Sequence, residues 1–530
     1  MPAPRFSTEI EVKMTLTAGV SVLALLALSA PASAQHQHMP GMTMPTPAKP
    51  AAKKKPVPKK KEAAKKAAAK RKIPAKPKSS ATHAEHPAEP ISAPAVEPGM
   101  TMPMDHSHHG TMPAAAQPGS ETAPPMPAMD HSHTGQMPTE HRGHAAMKGA
   151  LGPYPIAREA SGTAWQPDTS EHTGLMMLSG DWTLMAHGVL NLAYDHQSGR
   201  RGDDKVFASG MLMGMARRQF GDGVLQFRAA LSPDPLMGKS GYPLLLASGE
   251  TANGRDRLID RQHPHDFFME LSASVSQNLG PKSSVFLYGG LPGEPAFGPP
   301  AFMHREAIMD SPEAPISHHW LDSTHISFGV VTAGIVLDRM KLEVSRFNAR
   351  EPDQHRWNIE TGPLDSTAIR LSWNPTRELA FQASWGHFED PEQLEPGVDQ
   401  ERWSASLLYA REIAAGWKFA GTLAWGRKSI DHHHDDAYVA EASVKHADWT
   451  VFGRGEMTEN RELRDVDEHG PAYRVGKVSL GAVRDFRVAD HWSIGVGGLF
   501  AVNFVPKALK ALYGGGRPTG AMGFVRLKLD

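Results

Sequence analysis

Trp417-Lys-Phe-Ala-Gly-Thr-Leu-Ala-Trp425 sets Trp417, Phe419, Gly421, Leu423 and Trp425 on one side of an extended chain and Lys418, Ala420, Thr422 and Ala424 on the other. Successive side chains of a strand point to opposite faces, so a period of two marks a strand with two unlike surfaces. The pattern recurs upstream: Trp403, Ala405, Leu407 and Tyr409 form one row, Leu379, Phe381, Ala383 and Trp385 another. Ile369, Leu371 and Trp373 alternate with Arg370 and Ser372.

Sixteen such segments follow one another, from 178–195, 205–220 and 223–233 through 323–338 and 339–348 to 490–503 and 520–530. Most reach the roughly 9–11 residues that a tilted strand needs to cross a bilayer. Connections after even-numbered segments are short, as at Gly221-Asp222, Gly280-Pro281-Lys282 and Val488-Ala489, whereas 234–265, 292–322, 349–364, 391–399, 460–473 and 504–519 are long. Short turns on one side and long loops on the other are the habit of bacterial outer-membrane barrels. A soluble sandwich or propeller would explain strands but not this alternation. The sequence therefore predicts an all-β fold: a transmembrane antiparallel up-and-down β-barrel of about 16 strands, preceded by a long disordered leader. Trp385, Trp403, Trp417, Trp425, Trp449 and Trp492 lie near segment ends, where an interfacial girdle belongs.

The leader reads differently. Leu16 to Ala30 is an apolar run that follows Lys13 and closes on Ala32-Ser33-Ala34, the pattern of a cleaved export signal. Three parts result: a signal peptide at 1–34, a leader at 35–172 in the periplasm, and a barrel at 173–530. Export argues against nucleic acid as a partner. The formal charge of −1 hides an asymmetry, because residues 49–78 carry fourteen Lys or Arg and one acid, a local +13 that leaves −14 elsewhere. That run is either an extended spacer or a contact for an anionic partner such as lipopolysaccharide.

Cysteine is absent, which excludes thiolate metal sites, thiol nucleophiles and disulfides. The leader instead repeats other ligands. Pro40-Gly-Met-Thr-Met-Pro45 returns as Pro98-Gly-Met-Thr-Met-Pro103, and Met104-Asp-His-Ser-His-His109 returns as Met129-Asp-His-Ser-His133 followed by Thr. Eleven His, eleven Met and no aromatic residue lie between Gln35 and Met147. Thioether sulfur is soft and suits Cu(I) and Ag(I), while imidazole suits Cu(II) and other divalent ions. The expected ligands are His36, His38, Met39, Met42, Met44, Met100, Met102, Met104, His106, His108, His109, Met112, Met129, His131, His133 and Met137. Copper ions, with Cu(I) on Met and Cu(II) on His, are the expected cargo, and silver is the alternative.

These repeats resemble the N-terminus of outer-membrane copper resistance protein B. The body resembles Gram-negative outer-membrane barrels in general. Its Asp260-Arg-Gln-His-Pro-His-Asp-Phe-Phe268 and Pro315-Ile-Ser-His-His-Trp-Leu-Asp-Ser-Thr-His325 are similar to segments of uncharacterised proteobacterial exported proteins of metal-resistance settings. The resemblance implies metal binding with a role in resistance or transport, and a periplasmic metal-handling protein as partner. It departs at the end, Leu527-Lys-Leu-Asp530, where such barrels often finish on an aromatic residue.

In the body, His432, His433 and His434, with Asp435 and Asp436 beside them, are the candidate metal ligands, placed on an external loop. His263, His265 and Asp266, with His304, His318, His319, Asp322 and His325, lie in long Pro-rich loops expected to fold inward. Two readings stand for them: a structural plug hydrogen-bonded to Arg255, Arg257, Arg261 and Arg305, or a site for metal or solute. Ser317-His318 is a poor hydrolase pair because neighbours on an extended chain diverge, so no enzyme is expected. The competing function is a porin-like channel whose leader is only a spacer.

Overall fold

The computed structural model describes residues 147–171, 173–464 and 470–530. The leader's candidate ligands, the export signal and the Lys-rich run all lie outside these residues.

Nineteen strands occur among the described residues. They are β1 (Leu175–Ser179), β2 (Trp182–Gln197), β3 (Asp204–Phe220), β4 (Gly223–Leu231), β5 (Tyr242–Thr251), β6 (Arg257–Gln262), β7 (Phe268–Gly280), β8 (Ser283–Gly290), β9 (Val330–Leu337) and β10 (Met340–Phe347). There follow β11 (Ser366–Trp373), β12 (Leu379–Phe388), β13 (Gln400–Ala414), β14 (Trp417–Ile430), β15 (His433–His446), β16 (Trp449–Asn460), β17 (Tyr473–Ala489), β18 (Trp492–Phe504) and β19 (Thr519–Leu529). β5 and β6 form a separate hairpin, and β1 is a short arm on β2. The other sixteen make one antiparallel sheet in which β19 returns to β2, Gly520 opposite Gln197 and Leu529 opposite Gly188. The sheet has no free edge, which is what a membrane-spanning sheet requires. This is an outer-membrane type of β-barrel.

β10 shows why these residues face as they do. Lys341 and Glu343 are 1% and 0% exposed, while Leu342 and Val344 between them are 47% and 44% exposed. Charge points inward and hydrocarbon outward, the inverse of a soluble barrel and the arrangement for a lipid surround. Trp417, Trp449 and Trp492 begin their strands at the short-turn end, and Trp385 stands opposite Trp403, and Trp425 opposite Tyr438, toward the other rim. Trp417 to Trp425 covers about 26 Å of strand, which tilt reduces to the order of a 25 Å apolar belt.

Several expectations are corrected. The segment placed at 323–338 begins as a strand only at Val330, because Ser323–His325 is a 3-10 turn inside the lumen. The connection at 234–265 carries β5 and β6, whose apolar run Leu244, Leu245 and Leu246 is fully buried inside rather than facing lipid. The loop expected to carry His432 to His434 is a two-residue turn, since β14 and β15 pair as far as Ile430 opposite His433. Residues 147–171, grouped with the leader by composition, are held within the barrel.

Two further inserts join the β5–β6 hairpin in the lumen. At the short-turn end the wall reaches into segment 147–171: Arg217 donates to the Lys148 carbonyl (2.8 Å), Ser276 to Ala150 (2.7 Å), Ser284 to Leu151 (2.7 Å), Asn374 to Gln166 (2.8 Å), and Lys341 to Thr163. From the other side comes the β8–β9 connection. Its Arg305 donates to Glu441 of β15 (2.7 and 2.8 Å) and to Asp322 of the insert itself (2.5 Å). Lys477 of β17 pairs with Glu313 (2.7 Å). An open water-filled pore would leave lumen-facing cations accessible, yet Arg370, Arg402, Arg454 and Lys477 are each 1% exposed. The lumen is packed.

Candidate functional site

The packed lumen holds a histidine cluster assembled from three separate positions. His265 lies in the short extended link between β6 and β7, behind Pro264. His318 opens a single helical turn, α1 (His318–Leu321), and His325 closes the 3-10 turn Ser323–His325. All three are buried, and each offers a ligand nitrogen within 4.8 Å of the other two. Ring centroids are 5.0 Å apart for His265 and His325, 5.2 Å for His318 and His325, and 6.5 Å for His265 and His318.

The partners of these rings fix which nitrogen is free. His325 Nδ1 lies 2.7 Å from the Asp322 carbonyl. A carbonyl only accepts, so Nδ1 carries the proton and Nε2 keeps its lone pair. His318 Nδ1 meets Asp322 Oδ1 at 2.9 Å and His265 Nδ1 meets Asp234 Oδ2 at 2.9 Å. Arg305 beside Asp322 holds that carboxyl well below the usual range although burial acts the other way, so it too only accepts. Burial lowers His318, and lowers His325 further, which keeps both rings neutral. Neutral imidazoles with Nδ1 tied to an oxygen and Nε2 turned to a common point are the usual ligand arrangement of a metal-binding histidine. Nε2 of His265 and of His325 are buried without a hydrogen-bond partner.

Geometry fits an ion. Three donors at the corners of a 4.8 Å triangle lie about 2.8 Å from its centre, so each ring moves inward by no more than about 0.7 Å to reach the 2.0–2.1 Å of a Zn–N bond. His263 and His319 continue the cluster outward, with centroids 5.7 Å from His318 to His319 and 5.5 Å from His263 to His319. His263, held neutral by burial, lies against Glu250 (3.0 Å), and His319 pairs with Glu351 (3.1 Å). Burial would lower His319, but Glu351 lifts it to about 9. His319 is therefore an ion-pair partner of Glu351.

The body ligands named from sequence do not converge. His433 and His434 are neighbours on β15 and point to opposite faces, while Asp435 is taken by Arg461 (2.8 Å) and Asp436 by Arg427 (2.8 Å). A second donor trio, His387, Glu389 and Asp399, is partly or fully exposed at the long-loop rim. Ser317 donates to Glu456 (2.8 Å) and not to His318. Asp234, which orients His265, was absent from the sequence reading, and nothing in its local motif, Pro233-Asp-Pro235, marks it.

No described protein family matches the chain, and no curated protein does. Solved structures similar to it include OmpF of Salmonella typhi in complex with daunomycin, at 10% identity over 67% of this chain and 100% of that one, TM-score 0.44. OprB of Pseudomonas putida is 9% identical over 66% of this chain and 94% of that one, TM-score 0.43. OmpT of Vibrio cholerae is 9% identical over 67% and 100%, TM-score 0.38.

Proposed function

We propose that this is an outer-membrane metal-handling barrel. It holds a transition-metal ion at His265, His318 and His325, and its leader collects copper or silver on the periplasmic side. The observation that carries the reading is the set of three buried rings with Nδ1 tied to oxygen, a ring nitrogen of each within 4.8 Å of the other two, and Nε2 of His265 and His325 without a partner. The leader's resemblance to copper resistance protein B is consistent with it, as is the concentration of Met and His there. Neutral nitrogen donors alone suit Cu(II), Zn(II) or Cu(I).

The porin-like reading is favoured by one feature, the closed sixteen-strand barrel itself. Its inserts oppose free diffusion, because the lumen-facing cations are sealed from water. Titration of the full-length protein with Zn(II) separates the two. The His265→Ala, His325→Ala double variant is expected to bind about one equivalent fewer at high affinity than wild type. Equal stoichiometry, together with a steady open conductance in planar bilayers, would sink the metal reading and leave the channel.

A further inference from the structure

Against the three-histidine centre lies a cavity of about 20 Å³, room for one water or one bare ion. His325 lines both. The rest of the cavity wall includes Met211, Met213, Met269, Met303 and Glu294.

These methionines stand out against the rest of the interior. β3 turns Met211, Met213 and Met215 inward as i, i+2 and i+4, and β2 sets His187 opposite Met213 and Met185 opposite Met215. Elsewhere the inner wall mixes Ser, Thr, Arg, Lys and Glu with Ala, Val and Phe, and the large core of the inserts is built mainly from Leu, Ile, Val, Phe and Tyr. Methionine is sparse in that core, where Met237 and Met522 are the buried ones. Beside His325, sulfur is concentrated.

A second observation points to a cation. Glu294 is 4% exposed, its Oε1 has no hydrogen-bond partner, and the nearest cation, Arg370, stands 3.9 Å away. The other carboxylate of the wall, Glu270, is fully engaged by Arg228 (2.8 Å), Tyr288 (3.0 Å) and Ser272 (2.7 Å). A buried carboxylate oxygen without a partner is costly. A monovalent ion in the cavity would answer it.

We infer that this methionine cavity is a second metal station, for a soft monovalent ion, Cu(I) or Ag(I), held by thioethers of Met211, Met213, Met269 and Met303 with Glu294 as its counter-charge. The inference rests on the metal-handling reading above. It makes the lumen a two-station line in which His325 is shared: nitrogen donors that accept borderline ions on the outer side, sulfur donors that select soft ones on the inner side. A packed barrel could then move an ion from donor to donor without a water-filled pore.

The test uses the full-length protein and two probes, Ag(I) and Zn(II). Met211→Leu, Met213→Leu and Met269→Leu conserve volume, so folding is expected to survive, checked by heat-modifiable migration. The triple variant is expected to lose about one equivalent of tight Ag(I) relative to wild type while keeping its Zn(II) at the histidines. Undiminished Ag(I) in a folded variant that still binds Zn(II) overturns the methionine station and leaves the proposed function standing. Loss of Zn(II) binding by wild type itself would instead remove the proposed function. Should the triple variant fail to fold, silver-soaked crystals of wild type decide: an anomalous peak among the four sulfurs supports the station, and its absence at full soak overturns it.

Discussion

Two sets of three histidines in this chain make opposite use of sequence. His432, His433 and His434 are adjacent, yet His432 sits in the turn and the strand that begins at His433 sends His433 and His434 to opposite faces. His265, His318 and His325 are scattered over sixty residues, and the packed lumen converges them to within 4.8 Å. Adjacency on an extended chain gives divergence, because alternate side chains take opposite faces. Convergence needs backbone from different connections, each with an oxygen that fixes a ring. Density of ligands in a sequence says where metal can be collected, whereas the oxygens that fix each ring from behind say where it can be held.

The largest expected effect breaks what holds the scattered set together. Arg305 joins Asp322 to Glu441 with no exposure to solvent. Arg305→Leu leaves buried Asp322 without its cation and Glu441 with Arg454 alone (3.1 Å), a destabilisation of about 3–5 kcal/mol, read as a lowered temperature of barrel unfolding and lost Zn(II) binding. Unchanged unfolding would mean that the insert is not anchored there.

A smaller effect contrasts the sets directly. Asp234→Asn removes the negative charge behind His265 and leaves one oxygen where two now accept, from His265 and from the Gly210 N–H, and is expected to weaken Zn(II) by about 10- to 100-fold. Replacing His432, His433 and His434 together by Ala is expected to leave the tight lumen equivalent as it was. A calorimetric titration in which the surface triple loses that equivalent reverses the comparison.

The smallest concerns the other end of the barrel, where a seal responds to acid. Glu171 pairs with Lys418 and with Lys445 (2.6 Å), and despite burial these charges lower its carboxyl to about 2. A depressed carboxyl contributes stability above its unfolded value, about 4.5, and loses it as pH falls toward about 2. The contribution is on the order of 1–2 kcal/mol after screening. Glu171→Gln should flatten acid unfolding between those limits, while an unchanged acid limb would place the seal elsewhere.

Most of the barrel was legible because lipid on one side and charge on the other force a period of two, as in Met340 to Phe347. The inserts were not. Leu244 to Leu246 carries no alternation because it is buried on all sides, and residues 147–171 are composed like a linker yet are held through their carbonyls, which any sequence possesses. The loop histidines drew notice by number, but their grouping depends on Asp234 and Asp322, partners that only the fold brings near. Met211-Leu-Met213-Gly-Met215 repeats the spacing of the leader's Met-x-Met pairs and was a signal available in plain view.

Asp322 does three jobs at once: its carboxylate holds His318 and Arg305, and its carbonyl holds His325. Seating of the insert and shape of the proposed metal centre are thus one equilibrium, described by a single linkage relation. An ion at a hundred times its dissociation constant would deepen the seated state by about 2.7 kcal/mol. Conversely, any force that unseats the insert must lower the affinity by the same factor, so an occupied barrel is latched by its own cargo and an empty one is the easier to open.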